Sequence, residues 1–231
     1  MAETPWLTII GMGEDGVAGL SQRSQAALAR AEVIMAPPRH LDLLGEATAQ
    51  TLQWPVPFSE GLVQLEALRG RRVVVLASGD PFWFGAGSVI AQHLSADEWV
   101  AHPGPSCFAL AASHLGWALE TVSCMGLHAA PMARLRRHLG QGARMIVTLR
   151  DGDAVNELAQ YLCDQGFGDS TFTVFEHLGG PQERVTTHLA TAVQGTFDHP
   201  VCAAIAVAGK GQALSRATGQ SDDVFQSDGQ M

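Results

Sequence analysis

The chain has 231 residues, 46% of them hydrophobic and 16% charged, with a formal net charge of -9. That length holds one large domain or two small ones around a substantial core, and the composition excludes a disordered chain. The acidic balance works against nucleic acid as a partner, and no apolar run is long enough to cross a bilayer.

Cys107, Cys124, Cys163 and Cys202 are scattered without a CxxC pair, which fits reduced thiols in a cytoplasmic protein. The start, MAETPWLTIIGMG, carries an acidic residue before a short apolar run and reads as a first strand rather than a cleavable leader.

Taken in order, WLTIIG from Trp6 to Gly11 reads as a buried strand, and the following turn, Gly11-Met12-Gly13-Glu14-Asp15-Gly16, is spaced for a tight loop against a ligand. Formally this is G-x-G-x-x-G. A dinucleotide site needs a helix starting at that loop and an acidic residue about 20 positions on. Here the helix opens late, at Ser21, and the second strand, Val33 to Ala36, runs into Pro37-Pro38-Arg39-His40, so a nicotinamide cofactor is disfavoured. Arg39 and His40 begin a short helix toward Leu44, and they read either as a solvated helix start or as carboxylate binders.

Glu60 to Leu68 is an amphipathic helix that leads into the central stretch, VVVLASGDPFWFGAGS from Val73 to Ser88. Its apolar run stops at Ser78-Gly79-Asp80-Pro81, a turn placed where ligands bind in open α/β sheets, beyond the carboxyl ends of strands. Gly85 to Leu94 is a helix and Glu98 to Ala101 a strand. The rigid turn His102-Pro103-Gly104-Pro105-Ser106 then opens the helix CFALAASHLGW, which is apolar enough to be buried on more than one face. Ser106 reads equally as a helix cap and as a ligand contact.

A second half starts near Thr121. Strands are expected at Val122 to Met125, Arg144 to Leu149 and Phe172 to Phe175, then, after the loop Glu176 to Arg184, through Val185, and at Cys202 to Val207, with helices at Met132 to His138 and Ala154 to Cys163. The two halves read as two alternating α/β units, 1–118 and 119–215. Residues 216–231, including QSDDVFQSDGQM, read as a polar linker. The nine histidines form no metal-ligand pattern, so no bound metal is expected.

Five segments occur in one order: GMGEDG, SGDPFWFG, PGPS, IVTL and FTVFEHLGGPQER. Together they resemble the tetrapyrrole methylases. The resemblance implies an α/β, two-domain tetrapyrrole methylase fold with the cofactor cleft between the domains, S-adenosylmethionine as methyl donor with S-adenosylhomocysteine as product, and a homodimer. Within the family, APPRHL from Ala36 and the PGPSCFALAASHLGW helix most resemble members that methylate C5 of a precorrin in cobalamin biosynthesis. The tail resembles the junction to a second domain that methylates C15 and decarboxylates. The alternatives are a methylase of different carbon specificity and a cofactor-binding module without catalysis. Most of the family has proline where Glu14 stands.

Carried over by position, the resemblance implies donor contacts at Gly11, Gly13, Ser78, Gly79, Asp80, Phe84, Ser106 and Cys107, with an adenosine side at Leu149, Ala206, Val207 and Ala208. His177 to Gly179 is a weaker candidate. The many carboxylates of a reduced tetrapyrrole call for local cations, for which Arg39, His40 and Arg150 are the candidates. Asp15 and His40 are candidates for a catalytic base.

Overall fold

The computed structural model describes residues 5–214; the linker expected at 216–231 lies outside the described residues. By contacts the chain divides into two compact units. One holds the chain through Leu110 together with Leu178–Gln182, and the other holds Ala111–His177 and the chain from Glu183 on.

The first unit is built from β1 (Leu7–Met12), α1 (Gln22–Arg30), β2 (Val33–Ala36), α2 (Pro38–Leu44), β3 (Gln50–Gln53), α3 (Phe58–Glu66), β4 (Val73–Ser78), α4 (Ala86–Ala91) and β5 (Trp99–His102). Its five strands form a wholly parallel sheet in the order β3-β2-β4-β1-β5. Side chains alternate across it. Leu7, Ile9, Val73 and Val75 join Leu62, Leu65 and Ile90 in one core, while Ile10, Met12, Val74 and Leu76 join Leu20 and Ala27 in another. Both faces are therefore covered, which is why β1 and β4 are continuous apolar runs rather than alternating ones. Because every strand is parallel, Met12, Ala36, Ser78 and His102 all end at one edge.

β3 was not expected from the sequence. Gln-Thr-Leu-Gln is polar and mostly exposed because it forms the edge of the sheet, so it lacks the apolar run that marks its neighbours. α5 (Cys107–Leu115) begins at the expected place, and the border between the units falls inside it. Phe108, Ala111 and Ala112 are buried, but Ser113 and His114 are exposed, so the helix is not covered all round within the chain.

The second unit contains β6 (Ser123–Gly126), β7 (Arg144–Thr148), α6 (Asp153–Asp164), β8 (Thr171–Glu176), β9 (Arg184–Leu189) and β10 (Val201–Ala206), in the sheet order β6-β7-β10-β8-β9. Only β6 and β7 pair in parallel; the other pairs are antiparallel. The expected loop from Glu176 to Arg184 joins β8 and β9 as a hairpin with no helix between them, so strands and helices do not simply alternate in this unit. Met132–His138 is a 3₁₀ helix. The amphipathic α6 packs Val155, Leu158 and Leu162 against Met145, Val147, Phe172 and Ile205, giving this unit its own core. Among the described residues no helix is long and apolar enough to cross a membrane, and no group of three metal-ligating side chains occurs.

Candidate functional site

The carboxyl edge of the parallel sheet carries three loops that cross at glycine. The Gly79 amide donates to the Met12 carbonyl at 3.0 Å, and the Gly104 amide donates to the Gly79 carbonyl at 3.0 Å. A Cβ on Gly11 would overlap the Gly79 carbonyl and lie 2.6 Å from the Gly104 nitrogen; one on Gly104 would lie 2.9 Å from the Gly11 oxygen. Gly79 also has φ of +50°, so only glycine suits the crossing. Gly11 and Gly79 were legible as loop glycines. Gly104, between two prolines, carries no signal of its own in the sequence beside the helix-opening Ser106.

Beside this crossing lies a cleft of about 240 Å³, formed within the first unit by the first loop, the start of α1, Pro103–Pro105, Leu110 and the Leu178–Gly179 tip of the β8–β9 loop. The first loop does not enter a helix directly. A 3₁₀ turn at Gly16–Gly19 intervenes, and Ser21 caps α1 by accepting from the Ser24 amide at 3.2 Å. The exposed Asp15 lies on the cleft lining, its carboxylate folded over Gly13 and Gly19.

Glu14, Arg39, Ser78 and His40 form one polar network. Arg39 makes an ion pair through Nη1 with Glu14 and donates through Nη2 to Ser78 Oγ at 2.8 Å. His40 Nε2 lies 3.3 Å from Ser78 Oγ and 3.4 Å from Arg39 Nη2. The network joins residues 14, 39, 40 and 78 from three segments. Three of the four were legible as polar residues at strand ends. Glu14 stands out in the sequence only as a departure from the family's proline, because no local signal marks a partner 25 positions away.

His40 does not present a cation. It is 2% exposed, and burial, with a smaller effect from Arg39, pushes its pKa down to about 4. A neutral imidazole next to a guanidinium supports Ser78 but attracts no carboxylate, and it is a weak base near neutrality. This corrects both roles expected for His40. Burial also lowers the Arg39 pKa, which leaves the group charged.

Asp80 shapes its own turn: Oδ1 accepts from the Phe82 amide at 2.9 Å, and its carbonyl accepts from the Trp83 amide at 3.2 Å. Phe84 follows with φ of +56°, unusual for a bulky residue. Trp83 stacks on Phe108 with ring centroids 5.1 Å apart, and Phe84 meets the same ring edge-on at 5.9 Å. Ser106 is buried, and its Oγ accepts from the Ala109 amide at 3.2 Å, which is a cap. Cys107 is half-buried, and all four cysteines are thiols rather than disulfide halves.

In the second unit the expected adenosine group divides. β7 and β10 run antiparallel, with Cys202 opposite Thr148 and Ala206 opposite Arg144. The Leu149 amide donates to Val201 at 3.2 Å, whereas Val207 bonds to Ala143. Leu149 and Ala206–Ala208 therefore stand at opposite ends of the strands, roughly 16–23 Å apart at the usual rise per residue. The pattern of strands had not revealed their direction. Leu149 follows β7 at the end where β10 begins, with Val201 between it and Glu176 of β8, and the next residue of that strand's exit, His177, has φ of +48°. Arg150 is 56% exposed in its side chain and pairs with Asp151 at 2.7 Å and Glu157 at 3.3 Å.

A sequence profile of the Tetrapyrrole (Corrin/Porphyrin) Methylases matches residues 6–193. A precorrin-6Y C(5,15)-methyltransferase [decarboxylating] from Sinorhizobium sp is 43% identical over 232 residues, covering 99% of this chain and 56% of the relative. The chain spans about half the length of the curated precorrin-6Y relatives it matches. A cobalt-precorrin-7 C(5)-methyltransferase from Salmonella typhimurium is 24% identical over 194 residues, covering 83% of this chain and 94% of the relative. Among solved structures, the uroporphyrin-III C-methyl transferase from Thermus thermophilus complexed with S-adenyl homocysteine superposes with a TM-score of 0.67 at 19% identity, over 86% of this chain and 96% of that one. With the profile matching residues 6–193 of the 231, the chain belongs to the tetrapyrrole (corrin/porphyrin) methylase family.

Proposed function

We propose that this chain is an S-adenosylmethionine-dependent methyltransferase that methylates C5 of a precorrin in cobalamin biosynthesis. The observation that carries the reading is a contrast in coverage. The chain matches nearly all of a relative named for C5 alone, and about half of relatives named for C5 and C15. The C15 and decarboxylating chemistry of those longer relatives is accordingly assigned to the part that this chain does not span. On the same reading the chain works as a cytoplasmic homodimer.

The first-unit cleft suits a sulfonium-bearing donor. Asp15 places a carboxylate on its lining, Leu20 and Leu110 add apolar surface, and the glycine crossing brings backbone polar groups close to the space. Gly11, Gly13, Ser78, Gly79, Asp80, Phe84, Ser106 and Cys107 are the residues assigned to hold the donor, several by fixing loop shape. When bound, the donor supplies an electrophilic methyl group. The protein's share is alignment and exclusion of water. Asp15 is assigned to accept the proton lost after methylation, and Arg39 to meet a substrate carboxylate. In the second unit Leu149 and Arg150, which follow β7, are kept as candidate ligand contacts.

The test is incubation of the purified chain with S-adenosylmethionine and the precorrin substrate, with the product read by mass spectrometry and NMR. One added methyl on C5 with no loss of carbon dioxide is expected. Methylation at another carbon, or donor binding without transfer, would sink the assignment. In the same assay Asp15→Asn is expected to bind the donor normally and lose turnover; unchanged turnover removes the base role.

A further inference from the structure

We propose that Glu14 is a positioning residue that aims Arg39 for substrate carboxylate recognition, and this rests on the methyltransferase reading above. Arg39 begins α2 after Pro37 and Pro38, and its long side chain is bound at both terminal nitrogens. Nη1 is paired with Glu14 and Nη2 donates to Ser78 Oγ at 2.8 Å. The Glu14 side chain is 12% exposed and that of Arg39 is 30% exposed. The pair is thus shielded from solvent on Glu14's side and open on Arg39's. A free arginine on a surface helix samples many rotamers; held at two points by a carboxylate and a hydroxyl, this one presents a fixed edge of its guanidinium.

Glu14 is itself fixed. It lines the cleft with Asp15, and the β8–β9 loop closes over it. A Cβ on Gly180 would fall 2.5 Å from Glu14 Cβ and 2.8 Å from its carbonyl oxygen, so only glycine allows that approach. The carboxylate therefore sits on a braced backbone rather than on a loose loop tip, as a group that orients another must. Ser78 is braced as well, by His40 Nε2 at 3.3 Å and by the crossing of the next residue, Gly79, beneath Gly104. The three-residue chain Glu14–Arg39–Ser78 connects two fixed loops through one cation, and the remaining open edge of that cation is the part a polycarboxylate ligand can take.

Two other roles are conceivable for such a pair, and they differ in sign. If Glu14 merely competed with ligand for Arg39, removing its charge would tighten binding. If it only held the fold, its loss would lower thermal stability and affect all ligands alike. Positioning predicts weaker carboxylate binding with donor binding and stability retained.

The experiment compares wild type, Glu14→Gln, Arg39→Gln and the double variant. The readouts are KM and kcat for the precorrin, Kd for S-adenosylhomocysteine by calorimetry, Tm, and fluorescence titration with coproporphyrin as a non-reacting polycarboxylate. Each single variant is expected to raise KM and the coproporphyrin Kd about tenfold, and the double variant no further, because residues in one network are not additive. The S-adenosylhomocysteine Kd and Tm are expected to stay near wild type, and kcat to change less than KM. Arg39→Lys, which keeps charge without the fork, is expected to bind about as weakly as Arg39→Gln. Unchanged or tighter coproporphyrin binding in Glu14→Gln, effects that multiply in the double variant, or a wild type that binds no coproporphyrin overturns the proposal. Absence of methyl transfer by wild type with the binding differences intact overturns the methyltransferase reading alone.

Discussion

His40 shows how one buried ring changes what a short motif means. In the sequence, Arg39-His40 reads as two cations side by side. In the fold His40 lies inside, with Nδ1 buried and without a hydrogen-bond partner among the described residues. Its pKa falls from 6.5 to about 4, chiefly through burial. The unfolded chain therefore binds the proton more readily than the folded one between those two values, so stability falls as pH drops below about 6.5 and the loss levels off below about 4. The full cost is about 3 kcal/mol. In urea titrations from pH 7.5 to 4, His40→Gln is expected to gain on wild type steadily as pH falls; parallel curves would show that His40 carries no such linkage. The residue scale also marks the limit of reading a sequence. Arg39 and Ser78 were visible as polar groups at strand ends, but the Glu14 carboxylate that joins them is a tertiary fact, created by the folding of loops far apart in the chain.

At the scale of elements, α5 depends on its first turn. Ser106 satisfies the Ala109 amide, one of the donors that a helix start leaves unpaired. Ser106→Ala is expected to cost about 1 kcal/mol, measured by denaturant midpoint at constant m-value, with helix content preserved. A loss of donor affinity without that cost would make Ser106 a ligand contact rather than a cap. Elements with a strong local cause were legible. β2 and the start and stop of β4 follow from apolar runs ended by Pro37 and by Ser78-Gly79, and α1 from its serine cap. Those decided by tertiary context were not. β3 is a strand because it pairs with β2 along Val33–Ala36 and not because of its own residues, and the direction of β10 is set by pairing that its Cys-Ala-Ala-Ile-Ala run does not encode. The same gap divided Leu149 from Ala206–Ala208, since a strand with no known direction has no known ligand end.

At the scale of the whole molecule, the two units differ in how acid reaches them. In the first, Glu98 gathers three segments: Trp6 Nε1 donates to it at 3.1 Å, Arg69 Nε at 2.7 Å and the Ser95 amide at 2.8 Å. Arg69 foremost, then the Ser95 amide and Trp6, holds its pKa down to about 2. A depressed carboxylate contributes stability that is present above its unfolded value near 4.5 and is lost as pH falls toward 2. His40 has already withdrawn stability from the same unit at higher pH, so the two losses follow one another within a single core. The second unit has a depressed acid in Asp151, held by Arg150 and the Ala154 amide, but its side chain is half-exposed and screened by solvent. Acidification is therefore expected to open the first unit before the second. Hydrogen exchange followed by mass spectrometry, corrected for intrinsic rates, is expected to show β1 and β4 losing protection at a higher pH than β7 and β10. Glu98→Gln should move the first-unit loss to higher pH and leave the second unit where it was. Simultaneous loss in all four strands would mean that the units unfold as one cooperative body, and earlier loss in β7 and β10 would place the acid-sensitive groups in the second unit instead.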